Sequence, residues 1–444
     1  MLNAMHYLRN SLLKSGLSLL LLLGLFSCHT EKKPKVFGSA NCDASYVLPD
    51  DISDVKITNT KIRFYNVTTG EVKEFPSWKD AHVNTGLYNI DYQMECTYSQ
   101  NGTQKKGKLV SQLNECEIVP PKEQGTVMLN FNMHIVPQVE DFIIEEIFFT
   151  GTLHPSGRQY HGDNYVILYN GTDHTLYADR IAFCESRWTT VIKWDYTPDI
   201  RHEAFAAYAV YLVPGSGKDH PVEPGGRIVL CDTGIDHRTN NPNSFDLSKA
   251  DFEWYDVSTV PAHQDYDSPL VPNLDKWFCY TKSFFVLHNR GFRSYVIARV
   301  PEDLDKETYL KDYLYNFTYV LTHAGVSYDM SGMAYKIPNK WVIDGVNLSV
   351  QAKFLWNILP EDIDAGWTNC GTMDHQKDRY FHSVRRKYLG KDLNGNKILQ
   401  DTNNSSEDFN PMVMPSFIEQ QGTAVDAKGT PCKQKTYDGI VPMD

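Results

Sequence analysis

Hard oxygen ligands alternate near the C-terminal end of this chain: Asp392, Asn394 and Asn396, then Asp401, Asn403 and Asn404. Calcium takes about six to eight oxygens, and the first five residues mimic the start of an EF-hand loop. The match stops at Lys397, where that loop needs glycine, and no Glu closes it. Calcium held by Asp392, Asn394, Asn396 and Asp401 is the metal reading of this loop, and no other cofactor is implied by it. The competing reading is a latch, because Asn and Asp cap their own backbone in turns. "DTNNSSEDF" would then pin the C-terminal loop by side-chain to backbone bonds, with Phe409 buried. A second group is basic: Arg379, Arg385, Arg386 and Lys387, bracketed by His375 and His382 in "HQKDRYFHSVRRK". Guanidinium forks pair bidentately with phosphates and carboxylates, so this patch could receive an anion or an acidic partner loop. Ordinary surface salt bridges are the plainer use. Asp232, Asp236 and His237 in "CDTGIDHRTNNPN", and Asp362 with Asp364 in "EDIDAG", could serve as acid, base or metal groups. The standard templates fail. "RHEAFAAY" starts as HExxH does, but Ala206 fills the second ligand position. No nucleophile elbow and no P-loop is present. No enzyme is expected; a surface hydrolase with acids on loops is the rival reading.

Cys28 carries the firmest chemistry. It ends the apolar run "LSLLLLLGLFSC", with Leu25 three positions before it and Ser27 beside it. The run is about ten residues, a secretory length and well short of the roughly 20 needed to span a bilayer. The pattern resembles a bacterial lipobox, which implies cleavage before Cys28 and acylation there. Several acyl chains, at about 0.8 kcal/mol per buried CH₂, make a durable anchor. Residues 1–27 then read as a lipoprotein signal peptide and 28–39 as a tether. The formal net charge of the chain is −12 and it has no basic stripe, which excludes nucleic acid as a partner. Without Cys28, eight cysteines remain: Cys42, Cys96, Cys116, Cys184, Cys231, Cys279, Cys370 and Cys432. In an exported protein an even count leads us to expect disulfides, with Cys96 and Cys116 closing a hairpin-like loop. Buried free thiols are the alternative. No CxxC pair exists, so a zinc ribbon is excluded.

The elements that must position these residues are strands. Aromatics make up 12% of the chain, and apolar residues alternate between Gly, Asn, Asp and Pro breaks. "VKITNTKIRFYNVTTGEVKEF" turns at Thr69-Gly70, and "TGLYNIDYQMECTYSQNGTQKKGKLVSQL" gives two strands around Asn101-Gly102. With "GTVMLNFNMHIV" they make residues 40–138 a small Ig-like or transthyretin-like sandwich. Residues 139–415 read as a larger β-sandwich region and 416–444 as a C-terminal extension. In "NYVILYN" both faces are apolar, so that strand is central. "KSFFVLHNRGFRSYVIARV" reads as a hairpin. Helices are few: Asp303–Leu314 and Ser349–Leu359 have caps and helical spacing. "LTHAGVSYDMSGMAYKIPNK", with Met330 and Met333, reads as an exposed loop and the best contact surface.

The second region resembles known proteins. "DFIIEEIFFTG", "DNYVILYNGTDHTLYADRIAF" and "VEPGGRIVLCD" are similar to the lamin-tail-like β-sandwich, with Ile167 where a Glu is usual. "SVRRKYLGKDLNGNKILQDTNNSSEDFNP" is similar to the late part of that domain, while "GIDHRTNNPNSFDLSKADFEWYDV" and "SPLVPNLDKWF" resemble the Bacteroidota lipoprotein family catalogued as domain of unknown function 4876. The resemblance implies a mainly β, lipid-anchored outer-membrane protein beside a β-barrel partner such as a TonB-dependent transporter. Surface display is expected over a periplasmic orientation. One departure is local: one acid and two bases follow Cys28, where surface lipoproteins of that phylum carry an acidic cluster. The expected role is a binding or scaffold protein serving a membrane complex; a structural or adhesive surface protein is the third reading.

Overall fold

The computed structural model describes residues 38–100, 102–119, 125–137, 140–392 and 394–422. Cys28, Cys432 and the last 22 residues lie outside the described residues. The chain is mainly β, with 26 strands and three short α-helices among the described residues. It divides into two compact units. The first comprises Met1–Ser45, Ile62–Ile90 and Leu113–Phe131; the second comprises Tyr46–Lys61, Asp91–Gln112 and Asn132–Asp444.

The N-terminal strands are β1 (Ser39–Val47), β2 (Ser53–Asn66), β3 (Val72–Phe75), β4 (His82–Asn84), β5 (Gly86–Gln100), β6 (Thr103–Ile118), β7 (Thr126–Asn132) and β8 (His134–Pro137). They form two sheets, in the orders β4-β1-β7 and β3-β2-β5-β6-β8. Alternation decides the faces: Tyr88, Ile90, Tyr92, Met94, Cys96 and Tyr98 of β5 are all buried. In the first unit, Phe64 meets Phe75, Trp78 and Tyr88 edge-on, at 5.8, 6.1 and 5.8 Å. The turn at Thr69-Gly70 forms as expected. Asn66 Oδ1 accepts the Thr68 and Thr69 N–H groups, and Gly70 takes φ 74°.

The second unit holds a β-sandwich. Its strands are β9 (Ile143–Phe148), β10 (Tyr165–Tyr169), β11 (Leu176–Tyr177), β12 (Ile181–Ser186), β13 (Ala204–Leu212), β14 (Pro221–Val222), β15 (Arg227–Cys231), β16 (Phe252–Glu253), β17 (Asp275–Cys279) and β18 (Ser294–Arg299). The chain continues through β19 (Leu314–His323), β20 (Val326–Pro338), β21 (Val342–Ser349), β22 (Thr368–Asn369), β23 (Ser383–Arg386), β24 (Tyr388–Lys391), β25 (Lys397–Leu399) and β26 (Phe409–Val413). One sheet runs β16-β15-β10-β9-β23-β26. The other runs β19-β20-β13-β12-β18-β21-β22, with β17 also on β13. Between them pack Ile147, Val166 and Leu230 from the first sheet and Phe183, Tyr211 and Ile297 from the second. The Phe183 ring stacks on Tyr295 at 5.5 Å and on Trp254 at 5.8 Å. Both outer faces are covered as well. Phe245, Leu247, Phe381 and Ile418 cover Tyr165, Ile167 and Val229. Trp188, Trp277, Tyr309 and Phe317 cover Cys184, Val210 and Val296. That double cover explains the apolar residues on both faces of β10, which is central between β9 and β15.

Four expectations need correction. The first helix forms as α1 (Lys306–Asp312), with Asp305 accepting the Thr308 N–H at 2.7 Å, but Ser349–Leu359 is not helical. Ser349 ends β21, Asn347 Oδ1 takes the Ile358 and Leu359 N–H groups, and the Trp356 indole donates to Thr189 and Ile192 carbonyls. These tertiary partners outbid a marginal helix. "KSFFVLHNRGFRSYVIARV" supplies only β18, since Phe285 and Leu287 enter the core without strand pairing. Met330 and Met333 lie on a strand, β20, and not on a loop. Finally, the seven described cysteines are free thiols. Cys96 sits by the Leu109 N–H of β6. Cys116 lies seven residues further along that strand, and at about 3.3 Å per residue it is beyond a disulfide's reach.

Candidate functional site

The basic residues are structural. Arg386 is only 1% exposed, because β23 lies between β9 and β26 in a sheet covered on both faces. Its guanidinium reaches Asp344 at 2.6 Å, Asp401 at 3.0 Å and Asp408 at 3.5 Å, and donates to the Ile144 and Gln400 carbonyls. It also lies 4.7 Å over the Phe409 ring. Burial alone would lower the Arg386 pKa, but the three carboxylates outweigh it and hold it above its ordinary value. Burial pushes the Asp408 carboxyl up to about 6, against the pull of Arg386. Arg385 bonds Glu419 at 2.7 Å and the Met414 carbonyl, and Arg379 donates to the Asn289 carbonyl at 2.6 Å. The expected anion-receiving surface at Arg379, Arg385 and Arg386 is thus a buried brace, since a desolvated guanidinium must bring its partners inside.

The oxygen-rich loop serves two separate ends. Asp392 Oδ1 accepts the Asn394 and Asn396 N–H groups at 2.8 Å each, closing the turn between β24 and β25. Asp401 faces Arg386 instead. The calcium cage expected from Asp392, Asn394, Asn396 and Asp401 is therefore split. Among the described residues, no group of three or more His, Cys, Asp or Glu is placed to hold a metal. The latch reading matches the geometry: Asp408 accepts from Thr402 and Asn404, and Phe409 is buried. α2 (Ser405–Asp408) and α3 (Ser416–Gln421) order this tail further. Asp364 is likewise buried, receiving the N–H groups of Asn347, Gly366 and Ser405.

A cavity does gather Asp232 and Asp236, with His237 bonded to Tyr160 of its wall. It occupies about 600 Å³ at one end of the sandwich, where the segments after β9, β15, β16 and β17 meet. Sequence reading missed Tyr160, His161, Asp265, Tyr266 and Phe284 in its wall; the adjacent Tyr-His pair before Gly162 was the available signal. His237 is fully buried. Its Nε2 donates to the Thr233 carbonyl at 2.8 Å, and its Nδ1 receives the Tyr160 hydroxyl at 2.8 Å. Burial lowers its pKa to about 4, so the ring is neutral at neutral pH. Asp265 accepts the Asp256 and Tyr266 N–H groups, and burial pushes its carboxyl up to about 6. Asp232 is 5% exposed. Burial, then Asp265, raise its carboxyl well above the ordinary range. Asp236 is paired with Arg238 at 2.6 Å.

A second surface is the β19–β20 hairpin. It closes through Ala324 (φ 49°) and Gly325 (φ 79°), the two left-handed residues of a tight hairpin turn. Its base is held in the sheet, where Tyr335–Pro338 pair with Ala204–Ala207, and Thr318 makes a further antiparallel bridge to Thr197. Beyond that base, cross-strand pairs put Tyr319 with Met330, Leu321 with Tyr328 and His323 with Val326 on one face. The face continues inward to Phe317, which packs on Tyr196 and Trp188. Val326 is 52% exposed and Tyr328 48%. Met333, three residues from Met330, points to the other face, so the two methionines do not form one contact.

The family model described as "Protein of unknown function (DUF4876)" matches residues 223–416. The resemblance read from the sequence is to that family. A crystal structure of a DUF4876 family protein from Bacteroides thetaiotaomicron is similar at 21% identity, covering 87% of this chain and 98% of that one, with a TM-score of 0.54. That likeness is one of fold. A crystal structure of a "putative adhesin" from Bacteroides ovatus matches at 9% identity over 69% of this chain and 86% of that one. Its TM-score of 0.17 carries no argument. No curated protein matches the chain. The stretch matched by the family model includes the whole hairpin and Asp232, Asp265 and Phe284, whereas Tyr160 and His161 precede it.

Proposed function

We propose that this protein is a lipid-anchored outer-membrane binding protein, acylated at Cys28 and displayed at the cell surface. It serves as an accessory subunit of a membrane complex such as a TonB-dependent transporter, and it acts by contact and not by catalysis. The observation that supports this best is the β19–β20 hairpin. A two-stranded ribbon is marginal alone in water. This one carries Leu321, Val326, Tyr328 and Met330 along one face beyond its sheet. A partner surface that buries that face would stabilise the ribbon and gain aromatic contact area. Pull-down of the tagged full chain from detergent-solubilised outer membranes should recover a β-barrel partner in fixed ratio. A Leu321→Asp, Tyr328→Asp variant of unchanged melting temperature should lose that partner, and Cys28→Ala should leave the membrane fraction. Recovery of the same partner by the hairpin variant refutes the assigned surface; no partner for the unaltered protein refutes the accessory role.

A further inference from the structure

We propose that a cleft at the foot of the β19–β20 hairpin binds a carboxylate carried on a six-membered ring, with the Arg187 guanidinium receiving the carboxylate and aromatic side chains receiving the ring. The inference does not rest on the hairpin's partner, since the cleft belongs to this chain alone. It lies between the segment that follows β12 and strand β19, and it occupies about 140 Å³. An engineered apolar cavity of roughly 150 Å³ takes benzene, so this cleft has room for one ring. Five of its eight lining residues are aromatic: Trp188, Trp194, Tyr196, Phe317 and Tyr319. Trp194 stacks on Tyr319 at 5.8 Å, and Trp188 on Tyr196 at 4.5 Å. Trp194, Tyr196 and Tyr319 are only half-buried, so their rings are available to a ligand. The walls are already fixed. Thr197 and Thr318 exchange backbone hydrogen bonds at 2.9 Å, and the Trp356 indole holds the Thr189 and Ile192 carbonyls. A ligand therefore has little left to order on binding.

Arg187 is the only charged residue that lines the cleft. Its guanidinium carbon lies 4.5 Å from the centre of the Tyr208 ring and 5.7 Å from that of Phe317. Ring contact engages the flat face of a guanidinium and leaves its in-plane N–H donors for an acceptor. The fold supplies none: among the described residues, the Arg187 side chain makes no hydrogen bond and no ion pair. Its Nε is enclosed, whereas its two Nη groups reach solvent. An entering carboxylate would meet that pair of Nη groups end-on and bidentately. Burial pushes the Tyr196 hydroxyl up to about 12 against the pull of Arg187, so it stays protonated and can donate as well. The neighbouring arginine is spent in a way that Arg187 is not. Arg293 Nη1 donates to the Ser186 and Trp188 carbonyls at 3.0 and 3.2 Å, and its Nε faces Glu185 at 3.7 Å. Arg293 shares the Tyr208 ring with Arg187, at 5.8 Å. Burial pushes the Glu185 carboxyl up to about 7 against the pull of Arg293, so one partly ionised acid stands against two guanidiniums. The excess positive charge, set in aromatic walls, favours an anion in the cleft.

Titration calorimetry of the full chain tests this with benzoate and glucuronate, with their uncharged counterparts benzyl alcohol and methyl glucoside, and with acetate, which has the charge without the ring. At least one ring acid should bind one to one, and its uncharged counterpart and acetate about tenfold more weakly or not at all. Binding should also shift the tryptophan emission, since Trp188 and Trp194 line the cleft. Arg187→Gln should lower the affinity about tenfold at unchanged melting temperature, and Trp194→Ala should weaken the ring acids more than acetate. The Leu321→Asp, Tyr328→Asp variant should keep full affinity, so the cleft and the hairpin surface can fail separately. Binding of benzoate alone points to an aromatic acid, and binding of glucuronate alone to a uronic acid; either supports the site. Equal binding of an uncharged counterpart or of acetate, no ring acid bound, or full affinity in a folded Arg187→Gln or Trp194→Ala protein overturns it.

Discussion

Arg386 is the residue whose environment differs most from its sequence neighbourhood. "SVRRKYLGK" reads as a solvated strand, yet Arg386 joins β9, β21 and the C-terminal latch through Ile144, Asp344, Asp401 and Asp408. Removing one partner of such a group leaves buried charge uncompensated. Arg386→Leu should therefore cost about 3–5 kcal/mol in urea unfolding. A loss near that of a surface pair, about 0–1 kcal/mol, would contradict the brace. The latch residues were legible because Asn and Asp cap locally, and the bonds from Thr402 and Asn404 to Asp408 span only six and four residues. Arg386 was not, since its carboxylates come from positions 42 residues before it and 15 and 22 after it. The cavity was half legible for the same reason: Asp232 and His237 share one loop, whereas Tyr160 and Asp265 arrive from others.

Elements were read best where periodicity was strong. β10 was recognisable as central from its two apolar faces, and β5 from strict alternation. The Ser349–Leu359 segment misled because its helical spacing was real, but its backbone N–H groups found Asn347 first. The hairpin was read as a loop because Gly, Ser and Met interrupt its alternation. Gly332 has a specific reason to be there. A Cβ at that position would stand 2.5 Å from Phe317 Cζ, whose ring lies across the facing strand. Gly332→Ala should displace that ring and cost about 1–3 kcal/mol by thermal or urea unfolding, as overpacking does. Full stability would mean that the hairpin's inner face is looser than the geometry requires.

For the whole molecule, the cysteine count suggested stapled domains, but the sandwich needs none. Both of its sheets bury both faces, so Cys184, Cys231 and Cys370 pack as small apolar residues. Reductant should leave the melting temperature unchanged, and thiol-reactive labelling in denaturant should find the seven described cysteines unpaired. A drop of several degrees on reduction would show a bridge that holds the fold together.

The sequence by itself determined the mainly β character, the central strand β10, the C-terminal latch and the DUF4876 resemblance. Each is written in local spacing or in an unbroken phrase. Only the tertiary structure decided that the arginines are buried, that the oxygen-rich loop divides its duties, and that Tyr160, Asp232 and Asp265 share a cavity. Those outcomes depend on long-range pairings across two sheets. A side chain's solvent exposure and charge partners are set by which strands lie beside and above it, and one-dimensional spacing does not carry that information.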